Sequence, residues 1–247
     1  MGNSGGAKRQ LVGYWITKMI LTPLLRLGFR VSSDGRHHVP RRGPAILASN
    51  HNSFMDSLFL PLVLHRRITY VAKAEYFDHW KTAWFFRASG QIPIRRGPGS
   101  AWRRAIESAA EVLAEGHLFG IYPEGTRSKD GKLHRGHTGI ARLALQTGAP
   151  VVPIGFVGTD RALPIGRKFP NLFTRVEVRF GPPMRFEVRP NETERMALRR
   201  ITDEVMRAIQ SLSGQEYAAK PLRAAPAASE PAASEAAASE PPAAESA

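Results

Sequence analysis

Short runs of apolar residues recur along residues 31–181, and polar or turn-forming residues separate most of them. Runs of this length indicate strands that are buried on one or both faces. Strands are therefore predicted at residues 45–49, 68–73, 91–95, 118–123 and 151–157. Residues 174–180 alternate apolar and polar side chains, which predicts one more strand with a solvated face.

Longer amphipathic segments separate these runs. They predict helices at residues 54–64, 75–88, 99–114 and 136–147. A closing helix is predicted at residues 191–211, with Asn191 as its N-cap and Glu194 three residues later. Strands that alternate with helices in this way form mainly parallel sheets. We therefore expect an α/β domain over residues 31–213, with a largely parallel central sheet flanked by helices.

The segment before this domain, residues 1–30, is predicted to be a basic arm followed by a membrane-associating helix. Residues 1–10 are rich in glycine, which predicts disorder, whereas residues 11–28 are mostly apolar. Lys18 divides this stretch into two uncharged runs of seven residues, and a membrane span needs roughly 20 apolar residues. Tyr14 and Trp15 beside cations are typical of a helix at a membrane interface. The alternative is a helix packed on the protein's own core.

The charge of the chain is strongly basic and unevenly distributed. The formal net charge is +14 at pH 7, of which residues 221–247 contribute −3 and residues 1–220 contribute +17. The large positive charge of residues 1–220 favours an anionic partner, such as nucleic acid, a phospholipid surface or a phosphorylated substrate. Cysteine is absent, which excludes disulfides and cysteine nucleophiles. Residues 214–247 repeat Ser-Glu among alanines and prolines, which predicts a disordered acidic tail without a catalytic role.

His51 is the histidine whose neighbours suggest chemistry. It follows the strand predicted at residues 45–49, at the strand end where open α/β sheets bind ligands. Five residues turn a helix by about 140°, so His51 and Asp56 meet only if His51 lies in the preceding turn, with Asn52 or Ser53 as N-cap. An aspartate on one imidazole nitrogen leaves the other ready to accept a proton from a hydroxyl. A loop histidine that merely caps the helix is the alternative.

Other predicted strands also end in polar or cationic groups. These groups are Lys73 at the end of residues 68–73, Arg96 after residues 91–95, and the run Glu124-Gly125-Thr126-Arg127 after residues 118–123. The glycine of this run permits a tight turn and its arginine offers a forked pair of donors, a combination that suits a phosphate. Parallel strands end at one edge of a sheet, so we expect these groups to lie near His51. The histidines show no metal-ligand spacing, and no metal site is predicted.

Four motifs together resemble those of the glycerolipid acyltransferases, above all the 1-acyl-sn-glycerol-3-phosphate acyltransferases. They are Asn50-His51-x-Ser53-x-x-Asp56, Gly90-x-Ile92-x-Ile94-x-Arg96, Pro123-Glu124-Gly125-Thr126-Arg127-Ser128 and Val152-Pro153-Ile154. The resemblance covers residues 31–181. It implies transfer of a fatty acyl group from acyl-CoA or acyl-carrier protein to the 2-hydroxyl of 1-acyl-sn-glycerol 3-phosphate, giving phosphatidic acid without a cofactor.

The resemblance also implies a role for each matching residue. His51 is expected to be the general base and Asp56 its orienting partner, so that no acyl-enzyme is required. The expected clamp on the acceptor's phosphate consists of Lys73, Arg96 and Arg127. The expected wall of that pocket consists of Glu124, Gly125 and Thr126. The implied partners are a lysophospholipid, the acyl donor and an anionic membrane surface, with the protein on the cytoplasmic face of the cell membrane.

Several alternatives remain open. Many members of the family that this chain resembles carry an acidic or amide residue where this chain has Arg95. An extra cation there could suit a different head group, so another lysolipid or an amphiphilic alcohol is the alternative acceptor. The aromatic segment that contains Trp80, Trp84, Phe85 and Phe86 is expected either to line an acyl groove or to be plain core. A nucleic-acid-binding protein is disfavoured because the arginine pairs are spread over many elements without a recognition motif. A membrane-binding protein without activity is disfavoured by the intact motifs.

Overall fold

The computed structural model describes residues 4–78, 83, 86, 91–94 and 101–218. The predicted site residue Arg96 lies outside the described residues, as do Arg95, Trp80, Trp84 and Phe85. Residues 219–247, which make up most of the predicted tail, also lie outside them. Within the described part of the chain, no helix has the length and apolar content that crossing a membrane requires.

Seven strands and a set of helices make up the described residues. The strands are β1 (Arg30–Asp34), β2 (Ala45–Ser49), β3 (Ile68–Lys73), β4 (Ile92–Ile94), β5 (Leu118–Ile121), β6 (Val151–Val157) and β7 (Arg175–Phe180). The helices are α1 (Ser4–Gly28), α2 (Asp56–Val63), α3 (Glu75–Asp78), α4 (Ala101–Ala114), α5 (Gly139–Thr147), α6 (Thr159–Ala162) and α7 (Glu194–Ser213). A 3₁₀ turn spans Arg36–His38.

All seven strands form one sheet in the order β1-β7-β6-β2-β5-β3-β4. From β6 to β4 every neighbouring pair is parallel, whereas β7 is antiparallel to β6 and β1 is parallel to β7. The predicted α/β fold with a largely parallel sheet is confirmed. Strand β1 was not predicted, because its sequence Arg-Val-Ser-Ser-Asp contains a single apolar residue.

Helices cover both faces of the sheet. This is necessary because successive side chains of the central strand β2 point to opposite faces and are all buried. Ala45 and Leu47 of this strand join the cluster that includes residues of α1 and α2. Ile46 and Ala48 join the opposite cluster, with residues of α4, α5 and α7. Because every residue of β2 is buried, the turn that follows the strand is anchored in the centre of the molecule.

Helix α1 begins at Ser4, so the prediction that residues 1–10 are disordered is wrong from that residue onward. One side of the helix packs on the protein, where Tyr14 and Leu25 are buried. The other side is open, with Met19 70% and Leu27 79% exposed. The Lys18 ammonium also donates to the backbone carbonyl of Leu64. The helix therefore packs on the core along one side and leaves an apolar side uncovered.

Helix α7 begins after Thr193, so the prediction of Asn191 as its N-cap is wrong. Thr193 has the extended backbone that an N-cap needs, and its hydroxyl accepts from the Met196 N–H at 3.3 Å. Asn191 instead has a φ of 62°, a left-handed conformation that asparagine tolerates in turns.

The α/β domain extends to residue 218, so the predicted start of a disordered tail at residue 214 is wrong. The Leu133 N–H donates to the Glu216 carbonyl, and the Ala218 N–H donates to the Leu133 carbonyl, both at 2.9 Å. Tyr217 also packs against the cluster beneath α4, α5 and α7. Residues 214–218 are thus fixed to the loop that precedes α5.

Candidate active site

The carboxyl ends of the parallel strands bring the predicted motifs to one edge of the sheet. The turn with His51 follows β2, and the run from Tyr122 to Arg127 follows the neighbouring strand β5. Lys73 is the last residue of β3 and pairs with Ile94, the last residue of β4. The side chain of Lys73 is outside the described part of the structure, so its orientation stays a prediction, as does the place of Arg96.

His51 and Asp56 form a hydrogen-bonded pair. The His51 Nδ1 lies 2.9 Å from the Asp56 Oδ2, and the Asp56 side chain is fully buried. The same oxygen accepts from the backbone N–H groups of Asn52 at 2.8 Å and Ser53 at 2.9 Å. A carboxylate only accepts hydrogen bonds, so His51 Nδ1 is the donor, and in the neutral imidazole Nε2 is then the nitrogen that can accept a proton.

The helix of this motif begins differently from the prediction that made Asn52 or Ser53 the N-cap. The N-cap position is Met55, whose side chain caps nothing, and Asp56 is the first residue of α2. The Asp56 carboxylate reaches backward to the two preceding N–H groups and fixes the turn. Asp56 thus orients the imidazole and also shapes the backbone that carries it.

The backbone of His51 is held from the neighbouring loop as well. The Ser128 N–H donates to the His51 carbonyl at 2.7 Å. The His51 N–H donates to Glu124 Oε1 at 3.4 Å, and the His134 N–H donates to Glu124 Oε2 at 2.9 Å. Burial raises the pKa of Glu124, and its backbone hydrogen bonds oppose that rise. Glu124 therefore links two loops by hydrogen bonds. Its buried side chain is not among those that line the cavity described below, although the sequence predicted it to form part of the pocket wall.

A second polar network fixes the same turn and was missed from the sequence. Asn50 exchanges hydrogen bonds with the backbone of Phe156 in β6, accepting at 2.7 Å and donating at 3.0 Å. Gln215 accepts from the Asn50 amide at 2.7 Å and donates to the Asn52 side chain at 2.9 Å. Gln215 escaped notice because it lies in the segment that was predicted to be a disordered tail.

Two tyrosines that sequence reasoning also missed support the imidazole. The Tyr122 ring stacks on the His51 ring, with 3.8 Å between centroids and 14° between planes. Its hydroxyl shares a hydrogen bond of 2.8 Å with Ser57 on α2. Burial and, secondarily, the Asp56 charge raise the pKa of Tyr122, so this phenol stays neutral. Tyr70 follows in the same stack and lies against Gly120, where an added Cβ would be 2.2 Å from its ring.

A cavity of about 670 Å³ lies beside this pair. Its polar lining includes His51 and the three consecutive residues Gly125, Thr126 and Arg127. Gly125 has a φ of 70°, which explains the glycine in this turn. Apolar and aromatic side chains from several elements supply most of the remaining wall, among them Leu21, Leu25, Leu58, Phe86, Trp102 and Ile106. An amphiphilic molecule with an anionic end matches this combination.

The structure thus brings six of the predicted site residues together: the hydrogen-bonded residues His51, Asp56 and Glu124, and the cavity-lining residues Gly125, Thr126 and Arg127. In the part of the chain that is described, no three histidine or acidic side chains gather as a metal site would require. A histidine paired with a buried aspartate at the wall of a cavity can accept a proton from a bound hydroxyl.

Comparison with known proteins agrees with this geometry. The family model described as Acyltransferase matches residues 30–157, which span β1 to β6 and contain the whole His51 turn. The chain belongs to the acyltransferase family. The match includes every strand end that carries a predicted site residue, so the family assignment and the candidate site concern the same part of the fold.

The relatives of this acyltransferase-family chain agree with one another in name. The bovine 1-acyl-sn-glycerol-3-phosphate acyltransferase alpha is 30% identical over 202 residues, covering 78% of this chain and 69% of that protein. The chloroplastic 1-acyl-sn-glycerol-3-phosphate acyltransferase of Arabidopsis thaliana is 29% identical over 159 residues, covering 64% of this chain and 44% of that protein. The chain spans about half the length of the first curated relatives that it matches.

A solved structure gives the same answer for the fold. The 1-acyl-sn-glycerophosphate acyltransferase of Thermotoga maritima superposes with a TM-score of 0.60 at 27% sequence identity. The match covers 79% of this chain and 76% of that one. The family fold therefore includes most of the architecture described above.

Proposed function

We propose that this protein transfers a fatty acyl group from an acyl thioester to the 2-hydroxyl of 1-acyl-sn-glycerol 3-phosphate and so forms phosphatidic acid. The observation that carries the proposal is the His51–Asp56 pair, which lies at the wall of a cavity with both apolar and phosphate-compatible lining. The names of the relatives, from bovine to Thermotoga maritima proteins, support the same reaction.

In the proposed mechanism, His51 is the general base. Its Nε2 takes the proton of the 2-hydroxyl as the oxygen attacks the thioester carbonyl, and a C–O bond forms. When the tetrahedral intermediate collapses, the C–S bond breaks and the imidazolium returns its proton to the leaving thiolate. The buried Asp56 carboxylate stabilises the imidazolium between these steps. The direct transfer needs no acyl-enzyme, which agrees with a chain that contains no cysteine.

Arg127, with Gly125 and Thr126, is the part of the proposed phosphate site that lines the cavity. A guanidinium binds a phosphate through two parallel hydrogen bonds, and this fixes the orientation of the acceptor. A fixed phosphate holds the 2-hydroxyl near His51, and such positioning lowers the barrier independently of proton transfer. We assign Lys73 and Arg96 to the same clamp because Lys73 ends β3, Arg96 follows β4 in the sequence, and these two strands end at the same edge of the sheet.

The apolar lining is the proposed site for hydrocarbon, since burying methylene groups there is favourable. The donor is acyl-CoA or acyl-carrier protein, and no cofactor is required. We further propose that α1 lies on an anionic membrane surface at the cytoplasmic face of the cell membrane, with its exposed residues toward the lipid. Acylation of another lysolipid is the alternative if Arg95 selects a different head group.

The test is acyl transfer from labelled acyl-CoA to 1-acyl-sn-glycerol 3-phosphate, comparing the wild type with His51→Ala. Product from the wild type and near-background product from the variant is the expected result. His117→Ala is the control, because His117 is an exposed histidine just before β5, at the opposite edge of the sheet. Equal activity of wild type and His51→Ala would refute the mechanism. A wild type that is folded but inactive on this acceptor, and active on another lysolipid, would move the proposal to that acceptor.

The phosphate site is tested with Arg127→Ala on two acceptors, one with a phosphate and one neutral. The expected result is a higher KM for the phosphorylated acceptor alone, because only that acceptor loses a charged partner. Arg195→Ala, an exposed arginine on α7, is the matched control. Equal losses on both acceptors would remove Arg127 from the phosphate clamp.

A further inference from the structure

The loop between α6 and β7 presents an unusual number of apolar side chains to solvent. Phe169 is 80% exposed, Phe173 65%, Leu172 56% and Ile165 41%. Every residue from 165 to 173 is exposed. Contiguous apolar exposure of this kind marks an interaction surface more often than ordinary protein surface. We call residues 165–173 the aromatic loop.

The backbone of the aromatic loop is held in place by hydrogen bonds, so its exposed side chains are a built feature. Asn171 donates from its backbone N–H to the Ala162 carbonyl and from its side chain to the Arg161 carbonyl, both at 2.8 Å. The Thr174 hydroxyl donates to the Asn171 carbonyl at 2.7 Å. The Phe173 N–H donates to the Gly28 carbonyl at 2.6 Å.

Among the exposed residues of the loop, Phe173 indicates most clearly that a partner covers this surface. Its φ is 61°, a left-handed backbone conformation that is unfavourable for a bulky residue and that glycine or asparagine adopts more readily. The side chain gains little burial in return, since it stays 65% exposed. A phenylalanine here is disfavoured both by its backbone and by its contact with water. Both costs point to a partner that covers the ring.

The aromatic loop is continuous with the exposed side of α1. Leu172 Cδ2 lies 3.4 Å from the position that a Cβ on Gly28 would occupy, at the end of the helix. Leu24 and Leu27 in the preceding helical turn are 60% and 79% exposed. The apolar surface of the loop therefore meets the apolar surface of the helix, and the two form one patch.

Charge indicates what covers this patch. Arg167 and Lys168 lie within the aromatic loop and are exposed, and residues 165–173 contain no acidic residue. Aromatic rings mixed with lysine and arginine match the boundary between acyl chains and anionic head groups, where rings insert and cations bind phosphates. A protein partner with an apolar face would leave these two cations without a counter-charge.

We propose that the aromatic loop is a second membrane-inserting element, which binds an anionic phospholipid bilayer together with α1. The loop is also linked to the candidate active site, because the Ser53 hydroxyl in the His51 turn donates to the Leu163 carbonyl at 2.8 Å. Lipid contact through the loop therefore places the His51 turn next to the bilayer. Vesicle binding through the loop does not require turnover, so it can be measured separately from the proposed reaction.

The test is sedimentation of the full chain with vesicles of phosphatidylcholine, with and without phosphatidylglycerol. Phe169→Ser is expected to lower binding to the anionic vesicles about tenfold, the loss expected for removing one inserted ring. Arg167→Gln with Lys168→Gln is expected to lower binding to the anionic vesicles only.

Met196→Ser is the matched control, because Met196 is 59% exposed on α7, and the vesicle binding of this variant is expected to equal that of the wild type. His51→Ala is expected to bind normally, which separates this result from any failure of the proposed reaction.

Phe173→Asn separates membrane insertion from a structural role of the ring. Asparagine suits the left-handed backbone, so we expect the melting temperature to stay equal or rise while vesicle binding falls. A lower melting temperature with unchanged binding would overturn the proposal. So would loop variants that all bind like the wild type, or a dimer without vesicles that becomes a monomer when Phe169 is replaced by serine. That last outcome would make the patch an interface between copies of the chain.

Discussion

Replacing Asp56 by asparagine removes one charge from a fully buried position and nearly preserves the shape of the side chain. The amide oxygen can still accept from the three N–H groups that converge on Asp56 Oδ2. What disappears is the attraction between the carboxylate and the imidazolium that forms on His51 during catalysis. The variant therefore tests the electrostatic part of the proposed mechanism while the hydrogen-bonded turn stays intact.

The size of the effect follows from the geometry. Two unit charges about 4 Å apart interact by about 4 kcal/mol at an effective dielectric constant of about 20. Each 1.4 kcal/mol changes a rate by about tenfold, so Asp56→Asn is expected to lower kcat by about a thousandfold. Because the imidazolium exists only after proton transfer, kcat and kcat/KM are expected to fall together and KM to change little.

The assay is steady-state acyl transfer, with thermal melting to show that the variant is folded. The chain offers a matched control in a second aspartate–histidine pair: Asp130 Oδ1 lies 2.9 Å from His134 Nε2, the same distance as in the buried pair. Asp130→Asn is expected to keep activity within about twofold, because that pair is exposed and a surface ion pair contributes little. Equal activity of folded Asp56→Asn and wild type would refute the role of the buried charge, as would equal losses in both variants.

Three further predictions concern the cavity and the stability of α7. Gly120→Ala is expected to push the Tyr70 ring into the cavity and to shift donor preference toward shorter acyl chains, measured as kcat/KM across a chain-length series. Arg200 lowers the pKa of Glu192 to about 2, so this carboxylate stabilises the fold above its unfolded pKa of about 4.3 and stops doing so as pH falls to about 2. Melting curves over that range are expected to show a shallower acid loss for Glu192→Gln. Thr193→Ala is expected to lower the unfolding free energy by about 1 kcal/mol in urea titrations, through loss of the N-cap.

The predicted strands were found because buried parallel strands leave an uninterrupted apolar run, as β2 does. The same rule missed β1, whose side chains alternate between exposed and half-buried and include one valine. β1 is fixed by pairing with β7, which lies about 145 residues later in the sequence, and no local pattern reveals such a contact. The hydrophobic pattern therefore predicted the central strands and the edge strand β4, and missed the other edge strand, β1.

At the candidate site, the sequence predicted which residues meet but missed some of what holds them. The spacing of His51 and Asp56 allowed their contact, and the contact is present, although the helix cap is Met55 instead of Asn52 or Ser53. Tyr122 was not identified, because a tyrosine after a strand looks like core until its ring is seen on His51. Gln215 was not identified either, because Asn50 and Asn52, its partners in the His51 turn, lie more than 160 residues away.

Helix α1 supplies one wall of the cavity through Tyr14, Lys18 and Leu21, while its opposite side is exposed. Removing residues 4–28 to obtain a more soluble enzyme would therefore open the cavity and expose the core beneath it. Substituting polar residues at Met19 and Leu27 would instead remove apolar surface and leave the cavity wall in place. For crystallisation and for assays in solution, a helix with polar substitutions at its exposed positions is therefore preferable to a truncated chain.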